Sequence, residues 1–188
     1  RNVLKHLQLT NDEEAAHNPH VTSVRFPDQV ERFVIAWHAV KRHDSGNLQH
    51  NIRFAAVNPD GEPYPHFVNS LELVELYNDV RFNPMFTFVR LPGAHRDLQH
   101  LALLWKQAEA EITEEAIITR DTIKAVQFRT GDGGIYLSGA IDVATMPDYT
   151  EVDTITAVLS DHEELRIEAV LLGTTSTGDL VQVGSITP

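Results

Sequence analysis

The chain contains no cysteine. That one absence excludes disulfide frameworks, thiol nucleophiles, iron–sulfur clusters and cysteine-based zinc sites. Long apolar runs are missing as well. Runs such as Leu101–Trp105 and Ala169–Leu172 fall far short of the roughly 18 residues that a membrane-spanning helix needs, so no membrane span is expected.

Basic charge is in short supply. Fifteen Lys and Arg face 27 Asp and Glu, for a formal net charge of −12. Binding nucleic acid through its phosphates needs a basic stripe. The densest basic cluster, Lys41-Arg42-His43, is short and followed at once by Asp44, so direct nucleic-acid binding is not expected. The sequence opens on Arg1 without a basic-then-apolar leader. A leader or propeptide ahead of Arg1 is compatible with it, and a virion or the cytoplasm is the favoured location.

What remains is ample for folding. At 188 residues and 42% hydrophobic, the chain can bury a core without covalent staples. Residues 1–20 are polar and read as an irregular N-terminal arm, and residues 21–188 read as a single domain. Arg32–Lys41 alternates Phe33, Ile35, Trp37 and Ala39 with Val34, Ala36, His38 and Val40, apolar on both faces as in a covered central strand. Asn58-Pro59-Asp60-Gly61 is a strong turn signal, with Pro pre-set for the second position and Gly tolerant of positive φ. From Thr122 onward, strand-length runs over 122–129, 135–143, 152–159, 165–172 and 180–186 are separated by turn residues at meander spacing. One amphipathic α-helix is expected near residues 97–112. There Leu98, Leu101, Ala102, Trp105, Ala108 and Ile112 recur at three and four, with Asp97 as N-cap. The expected fold is mainly β: an antiparallel β-sandwich, jelly-roll-like or tail-tube-like, with that helix.

Catalytic signatures fail where their chemistry demands specific residues. His95-Arg96-Asp97-Leu98 opens like a kinase catalytic loop, yet Ala102 stands where the metal-binding Asn belongs. Gly131-Asp132-Gly133-Gly134 leads into the strand residues Ile135-Tyr136-Leu137 rather than a helix N-terminus, so it is a hairpin turn and not a phosphate cradle. Neither G-x-S-x-G nor H-E-x-x-H occurs. No catalytic residue and no cofactor is assigned.

Ten histidines stand out. His17 and His20 flank Asn18-Pro19, His95 and His100 flank the expected helix start, and His38 has apolar neighbours on a long strand. A metal site in a barrel would draw on His38, His43 and His50.

Three function classes follow. The favoured one is an acidic structural subunit, such as a virion capsid or phage tail component, whose partners are copies of itself in a homo-oligomer and other structural proteins. The alternative is a histidine-dependent, metal-binding β-barrel enzyme of cupin type. The third is a ligand-binding β-sandwich module, disfavoured because Trp37 and Trp105 both sit on apolar stripes.

Overall fold

The computed structural model describes residues 7–10, 13–42, 46, 48–67, 70–76, 86–90, 97–114, 117–131, 134–145, 150–159, 165–174 and 180–182. Its architecture is mainly β, with antiparallel sheets built from twelve strands among the described residues. Contacts cluster into two compact units. The first comprises Arg1–Asp79, His95–Gln99 and Phe128–Ser138, and the second Val80–Ala94, His100–Gln127 and Gly139–Pro188.

The first unit is organised by a four-stranded antiparallel sheet, β1 (Glu14–Arg25), β2 (Glu31–Arg42), β3 (Leu48–Val57) and β4 (Ser70–Leu76), paired in that order. Central strand β2 carries apolar residues on both faces, as its alternation predicts, but its outer face is covered only in part: Trp37 and Ala39 are buried and Phe33 is exposed. On its inner face Val34 and Ala36 are fully buried, along with Ile52 and Phe54 from β3. Phe54 meets Phe128 edge-on at 5.5 Å, and Phe128 stacks on Phe67 at 5.7 Å. This aromatic cluster closes the core. The turn after β3 forms as expected: the Gly61 N–H donates to the Asn58 carbonyl at 2.9 Å, and Gly61 takes φ +85°.

Residues 14–20, expected within an irregular arm, are instead the first part of β1. Asn18-Pro19 masks the strand because both residues are poor strand formers. They are absorbed by a bulge: His17 pairs with His38, and the next pair is His20 with Ala36. Asn18 sits at φ +49°, a left-handed conformation that Asn tolerates better than most side chains. Pro19 suits such a site because it has no N–H to contribute to a ladder.

The end of β7 (Ile117–Gly131) and β8 (Gly134–Leu137) form the hairpin expected at the glycine cluster. At Gly134 an added Cβ would stand 3.1 Å from the His66 carbonyl oxygen, which accepts the Ile135 N–H. The close approach favours glycine there.

In the second unit, β6 (Leu101–Ile112) pairs with β5 (Phe86–Arg90) on one side and with β7 on the other; β9 (Ile141–Thr145) also pairs with β7. The α-helix expected over 97–112 is therefore replaced by a single 3₁₀ turn at Leu98–His100 and the strand β6. The three-and-four spacing is real but incidental. A helix with that stripe would turn Leu103 to solvent, whereas every residue of Leu101–Trp105 is buried. A continuous apolar run of this kind suits a strand covered on both faces. Asp97 still caps the short turn, accepting the Gln99 N–H at 3.2 Å. A separate meander pairs β10 (Thr150–Leu159), β11 (Leu165–Thr174) and β12 (Leu180–Gln182) in sequence order. The expected strand ends beyond 182 lie outside the described residues.

Candidate functional site

Two features of the first unit draw attention, one on each face of β2. On the inner face the β2–β3 register sets His38 opposite Ile52 and His50 opposite Val40. Alternation puts both imidazoles on one face, one diagonal step apart. His38 Nε2 and His50 Nδ1 stand 2.9 Å apart, with both residues buried at 4% and 6% exposure. The ring centroids are 5.1 Å apart and the planes differ by 12°. The excess of centroid distance over nitrogen distance, about 2.2 Å, is what two imidazole radii supply when the rings meet edge to edge. The contact is thus an in-line N–H···N hydrogen bond in nearly one plane. His17, exposed on β1, pairs with His38 across the strands, its ring centroid at 5.9 Å.

Burial pushes the His38 pKa down to about 4, with His50 and then His17 adding to the depression. Burial also lowers His50. Both rings are therefore neutral at pH 7.

Of the three histidines read from the sequence as metal candidates, the fold brings His38 and His50 together, and His43 lies outside the described residues. Two imidazole nitrogens on one tetrahedral metal at about 2.0–2.1 Å stand about 3.3 Å apart. The observed 2.9 Å suits a shared proton instead. Among the described residues, no group of three or more His, Asp or Glu is arranged to hold a metal ion.

The outer face of β2 is unevenly covered. Trp37 and Ala39 are buried at one end, near the ion pair that Arg53 makes with Glu14, its Nε 3.1 Å from Oε2. Toward the other end the sheet is bare: Val21 is 60% exposed and Phe33 48%. These two, with Ile35, Val57, Leu7 and Leu9, line an apolar groove of about 300 Å³ whose lining carries no charged side chain. Sequence reading placed Phe33 and Ile35 on one face of β2 but missed the groove. Val21 joins them only through the β1–β2 register, which pairs it with Ile35.

Arg32 fastens the loops beside this groove. Its guanidinium forks onto Asp28 at 2.7 and 2.6 Å, and its Nε donates to Asn58 Oδ1 at 2.6 Å. It lies over Tyr64 at 4.2 Å and Phe26 at 4.8 Å from the ring centroids. The hydrogen bonds from Arg32, helped by the Val30 N–H and by the Arg32 charge, hold the Asp28 carboxyl below its usual pKa. One residue thereby ties the β1–β2 hairpin to the turn after β3.

No protein-family model, no curated protein and no solved structure matches the chain.

Proposed function

We propose that the protein is a structural, self-assembling subunit that works through protein–protein surfaces, its first partner being a second copy of itself. The observation that carries this reading is the apolar groove around Val21 and Phe33 on the outer face of the β1–β2–β3 sheet. Exposed apolar patches of this kind mark interaction sites. In a chain of net charge −12, the uncharged lining favours a self-contact. Two copies meeting about a two-fold axis bury apolar surface there without setting acid against acid. A virion capsid or phage tail component is the setting this reading fits. An antiparallel sandwich, jelly-roll-like or tail-tube-like, is part of the same proposal. The acidic charge fits a protein that does not hold nucleic acid directly.

Size-exclusion chromatography with light scattering tests the proposal. A defined oligomer that dissociates in Val21→Glu, with its β-type circular dichroism retained, supports it. A strict monomer across the concentration range overturns it.

The second reading is a histidine-dependent metal-binding β-barrel enzyme of cupin type, for which His38 and His50 would supply two nitrogen donors once a metal displaced the proton they share. Stoichiometric metal in protein purified without an affinity tag, lost in His38→Ala, would support it; metal-free protein that folds normally would remove it.

A further inference from the structure

Leu7 and Leu9 precede β1, yet they line the outer-face groove beside Val21, Phe33, Ile35 and Val57. We propose that in the assembled protein the segment ending at Thr10 is exchanged between copies. The leucines of one copy seat in the groove of a second copy, whose own leucines seat in the first. This inference rests on the self-assembly reading and specifies what occupies the groove.

The attachment of the segment is light. Residues 7–10 belong to no strand. Among the described residues Leu7–Thr10 makes one hydrogen bond, and it is internal, from Gln8 Nε2 to the Thr10 carbonyl at 3.0 Å. What holds the segment on the sheet is apolar contact, which is non-directional and is made equally well by the same segment of another copy. Exchange costs little, because each leucine leaves one seat for an identical one. One segment also leaves the groove part-filled: Leu7 keeps 37% exposure, Val21 60% and Phe33 48%.

Charge selects this segment as the part of a second copy that comes closest. Residues 1–10 contain Arg1 and Lys5 and no acid, so all 27 Asp and Glu lie beyond Thr10. Beside the groove stand Glu31, Asp60 and Glu62, all exposed, against Arg25, which is in register with Glu31. A whole copy carries −12 and is repelled by such a rim, whereas its N-terminal segment is attracted to it.

Reach permits the crossing. Four residue steps separate Thr10 from Glu14, the first residue of β1. Extended, they span about 13 Å, more than the roughly 10 Å at which two sheets pack face to face.

The absence of cysteine makes a clean test. Leu9→Cys/Val57→Cys introduces the only two thiols, both on the groove. A disulfide needs Cβ atoms about 3.5–4.5 Å apart, so it links a segment to the groove it occupies and does not bridge facing sheets. Unlabelled and heavy-nitrogen-labelled chains of this variant are refolded together and oxidised at a concentration where the wild type is oligomeric by sedimentation. Mass spectrometry then reads the linked peptides. Exchange predicts that about half of them join a light chain to a heavy one, the share given by random pairing of copies. Linked peptides of one isotope only, from oligomeric protein, overturn exchange and leave self-assembly standing. Oligomers without any linked peptide overturn it as well, and a wild type that is monomeric throughout removes the self-assembly reading itself. Should Val57→Cys prevent folding, Ala55→Cys takes its place with the same readings, since Ala55 and Leu9 line the neighbouring hollow on that face.

Discussion

Replacing Arg32 with alanine removes a side chain that is 7% exposed and makes five separate contacts, to Asp28 twice and to Asn58, Phe26 and Tyr64 once each. The contacts do not weigh equally. Asp28 is 46% exposed, so water and salt screen that pair down to about 0.5–1 kcal/mol despite its fork geometry. The bond from the charged guanidinium to Asn58 contributes about 1–1.5 kcal/mol. Each aromatic face adds about 0.5–1 kcal/mol. The expected loss is about 3 kcal/mol from the first unit. Urea unfolding followed by Trp37 fluorescence in a Trp105→Phe background isolates that unit, because Trp37 and Trp105 belong to different units. With a slope of about 2 kcal/mol/M, the midpoint should fall by about 1.5 M. Arg32→Lys keeps the charge but loses the planar fork and the stack, and should fall by about two-thirds as much. A shift below about 0.5 M for alanine would show that the guanidinium is not what joins hairpin to turn.

Further predictions concern other sites. The depressed His38 pKa means that the unfolded chain binds more protons than the folded one between about pH 6.5 and 4. Stability is therefore full above pH 6.5, and about 3 kcal/mol is lost as the pH falls to about 4; urea midpoints measured across that window check it. Thr122 Oγ1 is fully buried with no hydrogen-bond partner among the described residues. Thr122→Val should thus be neutral or stabilising by up to about 1 kcal/mol, and a clear loss in thermal unfolding would mean that the hydroxyl is bonded. At Asn18, φ +49° predicts that valine costs about 1–2 kcal/mol while glycine stays within about 1 kcal/mol of the wild type, as read by the same unfolding assay.

The sequence made the first unit's central strand legible because both faces of β2 are written in alternating residues, and Asn58–Gly61 specified its turn by local chemistry. Register is where legibility ended. Val21 with Ile35, His17 with His38, and His38 beside His50 are each joined by pairing between strands, which no short window of sequence contains. Two misreadings have local causes. Leu101–Trp105 fits helical spacing and a doubly buried strand equally well, and the tertiary environment that buries Leu103 selects the strand. Residues 14–20 read as irregular because a bulge admits Asn18 and Pro19 into β1, and a bulge cannot be told from a break without its partner strand.

The self-association surface is tested most directly by sedimentation velocity over a concentration series at neutral pH, on the wild type, Phe33→Glu and Tyr136→Glu. Tyr136 is also exposed but does not line the groove. Burying a phenyl side chain contributes about 1.5–3 kcal/mol, and a two-fold contact counts it twice, so Phe33→Glu should weaken association by at least about a hundredfold. The account predicts oligomers for the wild type and Tyr136→Glu and monomers for Phe33→Glu. A wild type that sediments as a monomer throughout, or a Phe33→Glu variant that associates as the wild type does, contradicts it.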